Sequence, residues 1–455
     1  MRAPGPQPVV LCSLLVLAVL GACGAPPSER PGWNVIVVLV DTLRADHLSL
    51  YGYGRDTSPR LEALAERGVV FEQARSQAGC TFPSVNSLFT SRYPQLFQQT
   101  TKEYGWAIPE YVPTFAEMLK ANGYRTAAVS SSPIVRVNPS KRNPDGGYGA
   151  GFDQFDDSCE WKSADCINEA AFGILDGLES EPFLLYLHYF EPHGPYNPPA
   201  RHERRFAAQT YDKPWVADGT LYPLLGMLYD DGPEVEFTDG DLAQTIGLYD
   251  DEIAYFDDQF ALLVERLESD GLLDRTLVAF VADHGEELYD RGYMGHCYDF
   301  TWDSSVRTPF VLWIPGLEKG WRTDALAQNL DLVPTLLDYL GIEALEYDLH
   351  GKSLRPLLED GNPVHRYVFG IQRYARWVTD GRYKLSYNIW TEETVLYDLS
   401  EDPTEQTDVA EQRPEVVADL KGTLMRWIEA AEGDASTRIE QAGAATERLK
   451  ALGYL

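Results

Sequence analysis

A threonine, two aspartates and a set of histidines carry the chemistry legible in this chain. Thr81 opens the stretch Cys80 to Pro94, CTFPSVNSLFTSRYP, two residues before Pro83. Proline is tolerated in a first helical turn, and the N–H groups left over there favour an anion, so Thr81 sits where a nucleophile would be placed. Taken alone, the same threonine reads as an ordinary helix cap. Its company changes that reading. Asp41 closes the apolar run Asn34 to Val40, Asp283 and His284 close Leu277 to Ala282, and His193 follows Pro182 to Phe190. One acid or imidazole at a strand end is ordinarily solvated, but four of them beside a helix-opening hydroxyl are not explained by capping. Two carboxylates, an imidazole and a hydroxyl oxygen suit a divalent cation of intermediate hardness, Zn²⁺ or Mn²⁺. An ion shared by Asp41, Thr81, Asp283 and His284 would acidify the Thr81 hydroxyl and make it a usable nucleophile.

The elements that must position these residues follow from periodicity. The three apolar runs are continuous and rich in β-branched residues, which predicts strands buried on both faces. Ligands of open α/β sheets gather at the C-terminal ends of such strands. Ser58-Pro59 starts a short helix through Leu61, Leu64 and Ala65 that Gly68 ends; Pro113 to Asn122 is a second helix, and Arg125 to Ser130 a further strand. Residues 198–245 are acidic and aromatic without period and read as an insertion or lid. A helix is expected over Ile246 to Leu267. Strand and helix alternate, so the fold class is α/β with a mostly parallel central sheet.

At 455 residues the chain can bury a large core, and 70 Asp and Glu against 38 Lys and Arg give a formal net charge of -32. That charge repels nucleic acid and anionic membrane surfaces. Residues 1–22 read as a targeting segment: Arg2, the apolar run Val9 to Leu20, then Leu20-Gly21-Ala22-Cys23. This resembles a bacterial lipoprotein signal with Cys23 as the lipidated residue, the alternative being an ordinary secretory signal cut nearby. Either way export is expected, with a lipid anchor in the bacterial cell envelope (periplasm or outer membrane) as the only membrane contact and residues 23–32 as a tether. Cys159 and Cys166 share one polar loop and suit a local bridge.

The ordered motifs DTLRADHLSLYGYGRDTSPRLEALAERGVVF, TFPSVNSLFTSRYP, EPHGPYNPP, VADHGEEL, Gly295-His296, VRTPFVLWIPG, DLVPTLLDYLGI, HGKSLRPLL and LYDLSEDPTEQTDVA resemble the sulfatase family within the alkaline-phosphatase superfamily. The resemblance implies a large α/β catalytic domain, here residues 33–363, a small C-terminal α+β subdomain over 364–433, and a tail over 434–455. It implies Asp41, Asp283 and His284 as metal ligands, with Ca²⁺ added to the possible ions, and Thr81 as the nucleophile. His193 and His296 match substrate-contacting or proton-shuttling positions, and Arg307 is a further substrate-binding candidate. The departures are specific. A formylglycine enzyme has Cys or Ser where this chain has Thr81, and Arg where it has Val85; Cys80 is one residue out of register. Thr42 replaces a second acid beside Asp41, and His284 stands where Asn is common.

The expected activity is metal-dependent hydrolysis of a small-molecule or glycan sulfate ester, with Thr81 attacking sulfur. Hydrolysis of phosphoesters or phosphonates, or phosphoryl transfer, is the alternative, and a non-catalytic surface binding protein is a third. Cys80 precedes Thr81 and Cys297 follows His296. The two could bridge, but free buried thiols are the favoured expectation, because neighbouring loop side chains often face opposite ways.

Overall fold

The computed structural model describes residues 1, 32–94 and 108–431, apart from 144–145, 160, 162–163, 179–180, 201, 203, 230–231, 299, 318–319 and 345–346. Cys23 and the expected signal segment beyond Met1, the tether up to residue 31 and the 434–455 tail lie outside them. The chain begins with β1 (Asn34–Val40), α1 (Pro59–Ala65), β2 (Val69–Arg75), α2 (Thr81–Thr90), α3 (Phe115–Ala121), β3 (Arg125–Ser130), β4 (Gln154–Asp156), α4 (Ala164–Leu175) and β5 (Phe183–Tyr189). It continues with α5 (Pro214–Ala217), α6 (Tyr222–Tyr229), α7 (Asp239–Ser269), β6 (Thr276–Ala282), β7 (Glu287–Leu288), β8 (Met294–Gly295), α8 (Asp303–Val306), β9 (Phe310–Trp313) and β10 (Trp321–Gln328). Then come α9 (Leu332–Tyr339), α10 (Arg355–Asp360), β11 (Val368–Gln372), β12 (Ala375–Thr379), β13 (Tyr383–Asn388) and β14 (Thr394–Asp398).

One sheet organises the large domain, in the order β10-β2-β9-β6-β1-β5-β3-β4. Only β9 runs against its neighbours, antiparallel to β2 and β6, so the sheet is mixed but mostly parallel. β1 lies between β5 and β6, parallel to both. Alternate side chains of a strand face opposite sides. On β1, Val35, Val37 and Leu39 pack with Phe71, Phe89 and Phe115 on one face. Ile36, Val38 and Val40 pack with Phe256, Phe260 and Phe280 on the other, under α7. Both faces of β1 are therefore covered. Among the described residues no helix is long and apolar enough to cross a membrane.

The C-terminal sheet, β11-β12-β13-β14, is antiparallel throughout. Helical residues 414–431 cover it through Leu420, Leu424 and Ile428. A buried charge cluster ties it to the large sheet. Asp303 receives Arg75 Nη2 at 2.7 Å and Lys384 Nζ at 3.0 Å, and Lys384 also meets Glu405 at 3.0 Å.

The structure corrects the start of the long helix. It begins at Asp239, not Ile246, because Thr238 and Asp241 form a reciprocal capping box that satisfies its first N–H groups. The insertion over 198–245 thus contains α5, α6 and the first turns of α7.

Candidate active site

Two adjacent parallel strands deliver the residues after their C-terminal ends to one point. Asp41 follows β1, and Asp283 and His284 follow β6. Thr81, the first residue of α2, is brought to the same place. All four are buried, Thr81 at 3% exposure and the others at 0%. Thr81 Oγ1 lies 3.2 Å from His284 Nε2. That same nitrogen is 3.8 Å from Asp41 Oδ1 and 3.4 Å from Asp283 Oδ2.

The hydrogen bonds determine which atoms face inward. His284 Nδ1–H donates to the Gly285 carbonyl at 2.8 Å, so Nε2 is left with its lone pair aimed at the cluster. Asp283 Oδ1 is occupied by the N–H groups of His284 at 2.8 Å and Thr42 at 3.2 Å. Asp283 Oδ2 and Asp41 Oδ1 are buried with no hydrogen-bond partner. Two orphaned carboxylate oxygens and an imidazole lone pair, all within 4.8 Å of one another, repel without a cation between them. The donor set therefore fits a divalent ion. Burial acts the same way on the protons: it pushes Asp41 up to about 8, against the attraction of His296, and holds the His284 imidazole well below its ordinary value. Burial, followed by repulsion from Asp41, raises Asp283 well above the carboxylate range.

Sequence reasoning missed several residues here. His188, inside β5, is fully buried, with Nε2 3.4 Å from Asp41 Oδ2 and Nδ1 2.9 Å from the Tyr186 hydroxyl. A histidine within the apolar run PFLLYLHYF was the available signal. Thr42 adopts φ 55, costly for a β-branched residue, and this turn aims its N–H at Asp283. Gly285 passes so close to Ser304 that an added Cβ would lie 1.9 Å from its carbonyl oxygen.

His193 and His296 come together as expected. The His296 ring lies 4.7 Å from that of His284 and 5.0 Å from that of His193, measured between centroids. His193 in turn stacks on Phe190 at 4.3 Å. Three imidazoles therefore lead from the buried cluster outward. They end in a pocket of about 860 Å³ whose lining includes His193, His296, Glu286, Arg142, Trp161 and Tyr222. Arg307 is not brought here: its Nε and Nη2 donate to the Glu72 carbonyl at 3.1 and 3.0 Å. It follows α8 on a turn that bridges Arg75, and so is directed along β2.

The insertion forms part of the pocket wall through Gly219, Thr220, Leu221, Tyr222 and Leu225. Its backbone is gripped by buried acids of α7. Asp251 accepts the N–H groups of Arg205, Phe206 and Ala207, and Glu252 accepts that of Asn197. At Gly219 (φ +65) a Cβ would fall 2.0 Å from the Tyr196 carbonyl oxygen, while the Tyr196 N–H donates to the Gly219 carbonyl at 3.0 Å.

Two cysteine expectations remain. Cys159 and Cys166 form the local bridge, Cα to Cα 5.8 Å. The free-thiol expectation for the other pair is overturned: Cys80 and Cys297 are disulfide-bonded, Cα to Cα 5.0 Å. Cys297 takes φ +70, which turns it back toward Cys80 instead of away.

A mostly parallel α/β sheet with a nucleophile candidate and a candidate metal centre at its strand ends defines the class of protein. The chain belongs to the sulfatase family, whose homologues are sulfate ester hydrolases: residues 33–342 match the family model described as Sulfatase. Residues 289–430 match the model described as N-sulphoglucosamine sulphohydrolase, C-terminal. The chain is 23% identical to an arylsulfatase of Clostridium perfringens, over 88% of this chain and 95% of that one. It is 27% identical to human arylsulfatase A, over 90% and 89%. Among solved structures, a 2-O GAG sulfatase superposes with a TM-score of 0.71 at 20% identity, covering 89% of this chain and 94% of that one. A phosphonate monoester hydrolase of Agrobacterium radiobacter has the same fold, with a TM-score of 0.67 at 19% identity, covering 89% and 96%.

Proposed function

We propose that this chain hydrolyses sulfate esters, with Thr81 as the nucleophile and a divalent ion, Zn²⁺ or Mn²⁺ by its donor set, held by Asp41, Asp283 and His284. The observation that carries this reading is the convergence of the Thr81 hydroxyl on the two orphaned carboxylate oxygens and the His284 lone pair. Bound there, the ion supplies Lewis acidity, lowering the pKa of an adjoining hydroxyl and offsetting charge on the transferring group.

The rest falls to the chain's own side chains. Thr81 Oγ1 forms the bond to sulfur as the bond to the leaving oxygen breaks. His296 Nδ1 is committed to Glu286 at 2.9 Å, so proton transfer at this ring uses Nε2. Its protonated form serves the leaving oxygen, and its neutral form then takes the proton of the water that releases sulfate from Thr81. His193, beside it, orients the substrate oxygens. The segment over 198–245 encloses the leaving group. Two disulfides suit an oxidising compartment and support the exported reading.

One observation favours a second reading, phosphoester or phosphonate hydrolysis. Thr81 takes the place of a formylglycine, so release must break the bond to sulfur or phosphorus and not a carbon–oxygen bond of the enzyme. Purified metal-loaded protein given 4-nitrophenyl sulfate, 4-nitrophenyl phosphate and a phenylphosphonate monoester decides between them. Sulfate turnover with the highest kcat/KM is expected. A tenfold preference for a phosphorus ester would install the second reading, and no turnover at full metal occupancy would leave a binding protein.

A further inference from the structure

The Cys80–Cys297 bridge joins the start of α2 to the loop that follows β8. Cys80 is the N-cap residue of α2, immediately before Thr81, and Cys297 immediately follows His296. The Cys297 N–H donates to the Gly79 carbonyl at 3.0 Å, so the link is both covalent and hydrogen-bonded. From the C-terminal sheet, Gln372 accepts the Gly79 N–H at 3.1 Å and places its Nε2 3.5 Å from Cys80 Sγ. The Thr81 side of the bridge is thus fixed to the C-terminal sheet.

The His296 side depends on side-chain contacts instead. Its hairpin is the two-residue ladder β7–β8, with Glu287 opposite Gly295 and Leu288 opposite Met294. A two-stranded hairpin of that length is marginal alone. Gly292 and Tyr293, at its tip, are exposed. Arg44, which donates to the Glu286 carbonyl at 3.1 Å and pairs with Asp290 at 2.7 Å, and Arg291, which donates to the Thr404 carbonyl at 2.6 Å, anchor the hairpin, while the Glu286 carboxylate and the disulfide act at His296 itself.

We propose that the Cys80–Cys297 disulfide is a positioning device, setting the distance between the nucleophile turn and the His296 loop, and that its reduction uncouples them. The assignment of roles rests on the function proposed above; the mechanical coupling does not. Cys297 lines the pocket, so the opening that admits substrate also admits a dithiol. On reduction the S–S bond breaks, Cys80 and Cys297 each gain a hydrogen, and the dithiol becomes its own cyclic disulfide. A displacement of about 1 Å between reacting groups costs roughly 10²-fold in rate, so a loosened His296 acts mainly on kcat.

The experiment has two arms. Hydrogen exchange compares the full chain with its Cys80→Ser/Cys297→Ser variant. Faster exchange confined to peptides over 76–84 and 289–302 is expected; equal exchange there overturns the proposal. Turnover is then measured on aryl sulfates whose phenols range from acidic to weakly acidic. The variant should lose about tenfold or more in kcat on the poorest leaving group, little on 4-nitrophenyl sulfate, with KM nearly constant. An equal loss across the series, or none, overturns it. Should the double variant not fold, dithiol is added to folded Cys159→Ser/Cys166→Ser protein, where the same leaving-group-dependent loss must appear and reverse on reoxidation; unchanged turnover after complete alkylation of both thiols refutes the proposal. If the parent turns over no aryl sulfate, the function reading fails and the exchange arm still decides the coupling.

Discussion

His296 Nδ1 stands 2.9 Å from Glu286 Oε1, at the point where the pocket meets the buried cluster. Burial pulls the imidazole down, but the Glu286 carboxylate, by charge and hydrogen bond, more than reverses this and raises it above its ordinary value of 6.5. The stabilisation this pair contributes is complete below 6.5 and is lost as pH rises through the higher folded value. A group that must be protonated to serve the leaving oxygen therefore stays competent to higher pH. Glu286→Gln should move the alkaline limb of the kcat–pH profile toward lower pH. A limb in its original place would remove His296 from the acid role.

Thr81→Ala should abolish turnover by at least about 10³-fold, since a nucleophile and its partners act as a unit. Thr81 is buried at a helix start, but the deletion is small, so Tm should change by only a few degrees. Intact mass after brief exposure to substrate should show an ester on the parent and none on the variant. Parent-like turnover by Thr81→Ala would assign the attack to water.

The orphaned oxygens of Asp41 and Asp283 make a prediction that does not depend on turnover. With Asp41 pushed up to about 8, its carboxyl holds a proton at pH 7 until an ion displaces it. Binding of Zn²⁺ or Mn²⁺ to chelator-treated protein should then release protons, seen as a dependence of calorimetric heat on buffer ionisation enthalpy. At a free ion concentration 100 times Kd the fold should gain about 2.7 kcal/mol. Asp283→Asn should lose stoichiometric metal; full occupancy in that variant would refute the ligand set.

His188 approaches the side of Asp41 opposite the cluster, with Tyr186 behind it. A partner of this kind fixes the orientation of a ligating carboxylate, and losing one typically costs 10- to 100-fold in affinity. His188→Ala should weaken metal binding within roughly that range while sparing the fold. Unaltered affinity would reduce His188 to a packing residue.

β1 and β6, which bear the cluster, and β5 beside them were legible because they are buried on both faces and appear in the sequence as apolar runs, interrupted in β5 only by His188. β2 and β10 were not. β2 carries Glu72 and Gln73 in its middle, and β10, at the edge of the sheet, leaves Arg322 and Asp324 exposed. β9, only four residues long, lies inside a motif whose chemistry drew attention to Arg307 instead. A free guanidinium was expected there, but backbone direction is invisible in a sequence, and the Glu72 carbonyl already occupies it. The same blindness applied to the cysteines, whose pairing turns on one left-handed residue, Cys297. His188 was hidden by its surroundings, since a lone imidazole in an apolar run reads as part of the strand.

The close passage of Gly219 over Tyr196 sets how this pocket can change over generations. A methyl group at 219 would meet the backbone of Tyr196, so the wall carrying Thr220, Leu221 and Tyr222 has no room at its seat. The acids that grip the rest of the segment belong to α7, outside most of the stretch they hold. Point substitutions at the seat are thus closed off, whereas a replacement for 197–238 that restores the seat and offers the same backbone N–H groups to Asp251 and Glu252 can be grafted whole. This part of the pocket wall can therefore be exchanged as a cassette without disturbing the strand ends beneath it.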